Sequence, residues 1–192
     1  RVITGFIRPE PHVVDVTVHA QPVHLGSLFD GNATHLQLLA DALSLGGLPS
    51  SVTDDIGKDL WAKMLYNCPL NALGAVLQVP YGHLGEDENS RAIMERIVRE
   101  VFQVMQGLGH ASHWQSAGDY LKNFYEHLLP STYSHESSML QDIRTGRKTE
   151  IEALNGVIVR EGRKLKINIT CNETLRNQIL FLQKKPDDSR MD

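Results

Sequence analysis

The sequence has few of the residues that build disulfide frameworks, metal clusters or membrane spans. It contains two cysteines, Cys68 and Cys171, among 192 residues. Two cysteines are too few for a disulfide scaffold and favour a reducing, cytoplasmic setting. No apolar run approaches the ~20 residues that cross a bilayer, and the first residues show no signal-peptide pattern. We therefore expect neither a disulfide-rich secreted module nor a membrane partner.

An excess of positive charge is also missing. The formal net charge is −4 and the isoelectric point is near 6.1, whereas domains that bind nucleic acid are usually basic. We therefore expect no nucleic-acid partner. Nine histidines are present, but His110 and His113 have no carboxylate or third ligand nearby in sequence, so no metal site is predicted.

The glycine-rich turn of a dinucleotide-binding domain is absent as well. The nearest approach to G-x-G-x-x-G is Gly107-Leu108-Gly109, which follows a predicted helix and is interpreted as the end of that helix. Residues 1–53 nevertheless have an α/β pattern. Alternating apolar residues predict a strand over 14–20, residues 23–26 are expected to pair back on it, and 33–45 predict an amphipathic helix. This segment is interpreted as the end of a larger α/β domain whose beginning is absent.

From residue 54 onward the pattern is helical almost throughout. The sequence predicts three parts: an α/β remnant over 1–53, a helical domain over 54–184 and a charged tail over 185–192. Residues 81–85 are predicted to form a loop between the first two helices of the helical domain. Pro69 is expected to kink or interrupt the first of these helices, because proline has no N–H to donate and crowds the preceding turn.

That first helix carries a polar stripe where a core helix would carry leucine. Lys63, Asn67, Asn71 and Gly74 recur at i, i+4, i+8 and i+11, which places them on one face at roughly 100° per residue. Apolar residues fill the remaining circumference, so the helix is expected to be buried on much of its surface. The face either meets a polar ligand, or Lys63 reaches solvent while the asparagines bond neighbouring loops. On spacing alone we favour the second interpretation.

A second informative stretch covers residues 135–156, HESSMLQDIRTGRKTEIEALNG. Ser137 and Ser138 lie at the predicted start of a helix, where their hydroxyls can either cap it or hold an anion. Glu150 opens the next predicted helix, where an acid in the first turn is favourable in itself. Asn155-Gly156 is expected to let another backbone approach.

Together the two stretches resemble the C-terminal domain of the ketopantoate reductase (2-dehydropantoate 2-reductase) family. In that family a W-x-K-x-x-x-N-C-x-x-N helix precedes an S-S-M-x-Q-D-I-x-x-G-R-x-T-E-I-x-x-x-N-G segment, and residues 61–71 and 137–156 follow both patterns. The resemblance implies a mainly α fold, namely a helical C-terminal domain of the 6-phosphogluconate dehydrogenase-like type preceded by a small α/β remnant of a Rossmann domain. One departure is Thr170-Cys171-Asn172, where the family usually has a Thr-Pro-Asn-like element.

The resemblance also implies an activity and a set of site residues. The family reduces ketopantoate to pantoate with NADPH on the route to pantothenate and coenzyme A. On that pattern Lys63 is the general acid for the carbonyl oxygen, and Asn67 and Asn71 orient the substrate. Ser138 binds the substrate near its carboxylate, and Glu150 binds its hydroxyl group. The chain alone is expected to be inactive, because the NADPH-binding motif is missing from it and its cofactor-binding residues are unknown.

Two alternatives stay open at this stage. The first is a related reductase of another 2-keto acid, since a catalytic Lys63 can serve any ketone while the pocket lining selects the substrate. The second is a non-catalytic helical dimerisation module. The resemblance itself implies a small-molecule substrate and a homodimer.

Overall fold

The computed structural model of the chain describes residues 4–19, 22–29 and 33–184. Within these residues the strands and α-helices are β1 (Thr4–Glu10), β2 (Val13–His19), β3 (Val23–Leu25), α1 (Ala33–Leu45), β4 (Ser50–Val52), α2 (Ile56–Leu77), α3 (Tyr81–Glu86), α4 (Glu88–Gly107), α5 (Ala117–Asn123), α6 (Ser138–Arg144), α7 (Asn155–Leu165) and α8 (Thr170–Leu182). Short turns are π-helical at Phe124–Leu128 and 3-10 at Pro130–Thr132 and Ile151–Ala153. The tail predicted at 185–192 lies outside the described residues. The fold is mainly α, as predicted.

The chain divides into two compact units between Leu60 and Trp61. In the first unit β1 and β2 form an antiparallel hairpin, and β3 pairs in parallel with β4, with Val23 opposite Ser50. The prediction that residues 23–26 pair back on the preceding strand is therefore wrong. Parallel strands need a crossover connection, and α1 supplies it between β3 and β4.

The start of α2 packs within this first unit. The His24 Nδ1 and Asp59 Oδ2 atoms lie 2.6 Å apart, and a Cβ added to Gly26 would lie 2.5 Å from the Cβ of Ile56. These contacts place the first turn of α2 with the strands, beyond the boundary at 53/54 that the sequence suggests. The division into a nucleotide-domain remnant and a substrate domain stays a prediction.

In the second unit, α4 supplies the centre of the core. Its buried apolar residues follow helical spacing, as an amphipathic helix requires: Met94, Ile97, Val98, Val101, Phe102, Val104 and Met105. The side chain of Asp87 caps the helix by accepting hydrogen bonds from the backbone N–H groups of Asn89 and Ser90 at 3.0 and 2.9 Å. The residues of α7 and α8 pack against this helix.

One local prediction for this unit is wrong, and a second is wrong in its expectation of an interrupted helix. Residues 81–85 are not a loop but belong to α3, whose first N–H groups, those of Tyr81 and Gly82, donate to the carbonyls of His135 and Tyr133. Pro69 does not interrupt α2, which is continuous from Ile56 to Leu77. Every residue from 68 to 75 is buried, and this packing offsets the hydrogen bond that proline cannot make.

The start of α8 is held by a buried carboxylate on α4. Glu100, 9 % exposed, accepts from the backbone N–H groups of Cys171 and Asn172 at 2.8 and 2.9 Å, and from Asn172 Nδ2 at 2.7 Å. An acid at a helix N-terminus satisfies N–H groups that have no partner inside the helix. Cys171, which replaces the usual proline of the resemblance, thus supplies an N–H that proline lacks.

Candidate active site

The polar stripe of α2 passes from solvent into the core. Lys63 is exposed, Asn67 is half-buried and Asn71 is only 4 % exposed. Because an α-helix rises 1.5 Å per residue, Lys63 and Asn71 are separated by about 12 Å along the axis. The stripe therefore presents a cation at its outer end and a buried amide at its inner end.

Asn71 is the point at which three distant segments meet. Its Nδ2 donates to Glu150 Oε1 at 3.3 Å, and its Oδ1 accepts from the Tyr81 hydroxyl at 2.6 Å. Its backbone carbonyl accepts from Ser137 Oγ at 3.2 Å. Ser137 and Glu150 are 66 and 79 positions from Asn71 in the sequence. Asn71 therefore joins the two stretches singled out in the sequence.

The paired serines have different environments. Ser137 is fully buried and caps α6, since its Oγ accepts from the N–H of Leu140 at 3.0 Å. Ser138 is exposed as the first residue of α6. The capping interpretation is therefore confirmed for Ser137, while the Ser138 hydroxyl lies beside it at the surface.

Glu150 does not cap the turn that it precedes. Among the described residues its side chain makes no capping bond, and the N–H of Ile151 donates instead to the Thr149 hydroxyl at 3.3 Å. The Glu150 side chain is exposed and accepts from Asn71. The hydrogen bond of the Glu150 side chain therefore goes to Asn71 on α2, and not to the turn that follows Glu150.

Lys63 and Asn67 are not joined to this cluster by direct contacts. Within the described ranges, no hydrogen bond or ion pair connects either side chain to another residue. Lys63 and Asn67 thus share the face of α2 with Asn71, whereas Asn71, Glu150 and Ser137 are brought together by direct contacts. The polar groups of Lys63, Asn67 and Ser138 are available to a ligand.

Burial keeps the Tyr81 hydroxyl and the Cys68 thiol near Asn71 protonated. It raises the pKa of the Tyr81 hydroxyl, and the charges of Tyr66 and Glu150 add to the effect. Burial, with a smaller contribution from Glu150, also raises the pKa of the Cys68 thiol. Tyr81 is therefore a hydrogen-bond donor at neutral pH, and Cys68 is a buried, protonated thiol.

Tyr81 and the helix that carries it escaped the sequence reasoning. Gly82 and Gly85 gave this segment the appearance of a loop, but each glycine makes room for a neighbouring side chain, that of Tyr133 at Gly82 and that of Leu129 at Gly85. The usable signal was Pro80, because proline is favoured at the start of a helix. Gly74 likewise makes room for backbone, because a Cβ added to it would lie 3.3 Å from the Val79 carbonyl oxygen.

The sequence contains no G-x-G-x-x-G turn of the kind that cradles the pyrophosphate of a dinucleotide. Gly107 ends α4 and Gly109, with φ of 76°, lies in the turn after it, as the sequence predicted. Among the described residues no group of three His, Cys, Asp or Glu side chains is arranged to hold a metal ion. None of the helices in the described part of the chain has the length and hydropathy of a membrane span.

The chain is similar in sequence and in fold to several known reductases and dehydrogenases. The chain is 38 % identical over 180 residues to the 2-dehydropantoate 2-reductase of Aquifex aeolicus. The aligned residues cover 93 % of this chain and 58 % of that protein. The fold is similar to a PanE/ApbA family ketopantoate reductase from Ralstonia eutropha, with a TM-score of 0.78 and 27 % identity over all of this chain and 59 % of that one. It is also similar to D-mandelate dehydrogenase in complex with NADH, with a TM-score of 0.81 and 25 % identity over 94 % of this chain and 60 % of that one.

The extent of these matches defines what is shared. The chain spans a little more than half the length of these relatives. The sequence model described as the C-terminal part of ketopantoate reductase PanE/ApbA matches residues 55–183, which include α2, the 137–156 segment and α8. The chain therefore belongs to the ketopantoate reductase PanE/ApbA C-terminal family.

Proposed function

We propose that this chain is the substrate-binding and proton-donating part of an NADPH-dependent 2-dehydropantoate 2-reductase, which converts ketopantoate to pantoate. The observation that carries the proposal is the contact between Asn71 and Glu150. It joins the two family motifs at the inner end of a polar helix face whose outer end carries Lys63. Family membership supports the same reaction.

In this proposal Lys63 is the general acid. Reduction of a ketone forms a C–H bond at the carbonyl carbon and moves the π electrons onto oxygen, which must then gain a proton. An ammonium group near that oxygen stabilises the developing charge and can donate the proton. The exposed Lys63 Nζ, without a protein partner among the described residues, is free to serve this purpose.

The remaining polar groups bind the substrate. Asn67 and the second N–H of Asn71 Nδ2 are donors on the same helix face, Ser138 offers a hydroxyl for the carboxylate, and Glu150 accepts from the substrate hydroxyl. Hydrogen bonds of this kind hold the carbonyl in a reactive orientation. NADPH, when bound, supplies the hydride. Because the glycine-rich turn is absent from this sequence, no residue of this chain is assigned to its pyrophosphate.

A related reductase of another 2-keto acid is the second candidate. The similarity to D-mandelate dehydrogenase, a protein solved with NADH, favours it because that enzyme's name indicates a different 2-hydroxy acid product. A homodimer and a cytoplasmic location stay predictions from the sequence.

A substrate and coenzyme panel tests the proposal. The protein in its full natural length is assayed with ketopantoate and with the 2-keto acid corresponding to mandelate, each with NADPH and with NADH. We expect the highest kcat/KM for ketopantoate with NADPH. A preference for the aromatic keto acid would support the second candidate, and no turnover of any 2-keto acid would favour the non-catalytic helical module.

A further inference from the structure

Tyr81 lies at the inner end of the polar face and is 3 % exposed. Its hydroxyl donates to Asn71 Oδ1 at 2.6 Å. Its ring packs edge-on against Tyr66 and His135, at centroid distances of 6.1 and 5.2 Å. The backbone N–H of the same residue donates to the His135 carbonyl at 3.0 Å.

These contacts leave a single orientation of the Asn71 carboxamide. An ionised Glu150 carboxylate only accepts hydrogen bonds, so it requires the NH2 group of Asn71 to face it. The Oδ1 atom must then face Tyr81, whose hydroxyl can donate to it. The reverse orientation would place Oδ1 against the carboxylate oxygen, with repulsion between two acceptors.

The geometry also identifies what this orientation achieves. One N–H of Asn71 Nδ2 is used by Glu150 at 3.3 Å, and the second remains for a ligand acceptor. Ser137 connects the Asn71 carbonyl to the start of α6, next to Ser138. The orientation of the Asn71 amide therefore determines where its second N–H lies relative to the Glu150 carboxylate.

We propose that Tyr81 is a positioning residue of this site: its hydroxyl fixes the Asn71 carboxamide with the NH2 group toward Glu150 and the substrate. The inference rests on the proposed function, because it assumes that Asn71 binds the keto acid. Tyr81 itself is not assigned any contact with the substrate. Burial, which raises the pKa of the Tyr81 hydroxyl, keeps it in the donor form throughout the neutral range.

Tyr66 provides a matched control. It is a neighbouring, half-buried tyrosine whose hydroxyl bonds to Thr132 Oγ1 at 2.6 Å rather than to Asn71. Tyr81→Phe and Tyr66→Phe remove the same atom from the same aromatic cluster. A general loss of stability should therefore affect both variants, whereas misorientation of Asn71 should affect only the first.

The test is a double-mutant cycle on the steady-state reduction of ketopantoate by the full-length protein with NADPH. Tyr81→Phe is expected to lower kcat/KM about tenfold, the scale of one hydrogen bond, mainly by raising KM for ketopantoate. Tyr66→Phe should change kcat/KM less than about twofold on the same scale. In an Asn71→Ala background, Tyr81→Phe should have almost no further effect, since the amide that Tyr81 orients is gone.

Thermal unfolding of each variant shows whether it is folded. If the double variant is not folded, Asn71→Ser replaces Asn71→Ala.

The outcomes separate this inference from the proposed function. If Tyr81→Phe lowers kcat/KM equally in both backgrounds, or no more than Tyr66→Phe does, the positioning role is overturned while the function stands. If Asn71→Ala leaves kcat/KM unchanged, the assignment of Asn71 to the substrate fails and the positioning role fails with it.

Discussion

Asn71 and Glu150 are 79 positions apart in the sequence, yet the amide of one donates to the carboxylate of the other at 3.3 Å. Asn71 is buried on α2, and Glu150 is exposed just before the turn that leads into α7. Asn71 is the last residue of the first motif, 61–71, and Glu150 lies within the second, 137–156. Their contact is the structural reason for treating the two motifs as one site.

The first prediction concerns the charge of Glu150. Glu150→Gln keeps the size of the side chain but removes the anion, so the hydrogen bond from Asn71 is no longer charge-assisted. We expect KM for ketopantoate to rise about tenfold or more, the scale of a bond to a charged group, as measured by steady-state kinetics of the full-length protein.

Glu152→Gln is the control for this variant. Glu152 is also exposed, but it pairs with Arg176, with Glu152 Oε1 2.6 Å from Arg176 Nη2. Surface ion pairs contribute little to protein stability, and Glu152 is not assigned to the substrate. The kinetics of Glu152→Gln should therefore match those of the unmodified protein. Equal KM values for the two variants would contradict the role of Glu150.

The second prediction concerns the stability contribution of Glu100. In Glu100→Gln an NH2 group replaces one of two oxygens that accept from Cys171 N, Asn172 N and Asn172 Nδ2. A donor then faces a donor at the start of α8, and the free energy of unfolding should fall by about 1–3 kcal/mol. Urea denaturation measures this loss.

Glu95→Gln is the control for this variant. Glu95 is a partly exposed acid on the same helix, and its Oε2 lies 4.0 Å from Arg99 Nη2. Its replacement should change the unfolding free energy far less, and a similar loss in both variants would rule out the capping explanation.

The third prediction is a pH dependence of stability from His135. Partial burial lowers the pKa of His135 below its usual 6.5, and the neighbouring Glu136 opposes the shift only in part. The unfolded chain therefore binds the proton more tightly, so the free energy of unfolding decreases as the pH falls through about 6.5 and levels off below the folded-state pKa.

His135→Gln isolates this contribution from that of the other histidines. Between pH 7 and pH 5 the variant should lose less stability than the unmodified protein, as measured by urea unfolding across that range. Parallel pH profiles for the two proteins would exclude His135 as a source of the dependence.

The polar face of α2 could be predicted because it depends only on local periodicity. Lys63, Asn67 and Asn71 recur every four residues, and the helix that places them on one face is continuous from Ile56 to Leu77. The interpretation favoured on spacing alone, that the asparagines bond neighbouring segments, holds for Asn71. Its partner Glu150 was identified only through the family resemblance, since no local pattern specifies a contact across 79 positions.

The elements that sequence reasoning missed depend on contacts between distant residues. The pairing of β3 is decided by β4, which lies beyond α1 in the chain. The sequence of α3 predicts a loop because Gly82 and Gly85 are usual in turns, whereas in the structure they allow Tyr133 and Leu129 to pack closely. The role of Tyr81 was missed with that helix.

The most direct test of the central claim is the turnover of Lys63→Ala in the full-length protein with ketopantoate and NADPH. Loss of a general acid should lower kcat by about 10²- to 10⁴-fold. Lys58→Ala is the matched control, because Lys58 is a partly exposed lysine on the same helix whose Nζ lies 2.7 Å from Asp55 Oδ1. The kcat of this variant should be unchanged. A Lys63→Ala protein that is folded and turns over as fast as the Lys58→Ala protein would contradict the assignment of this helix face as the active site.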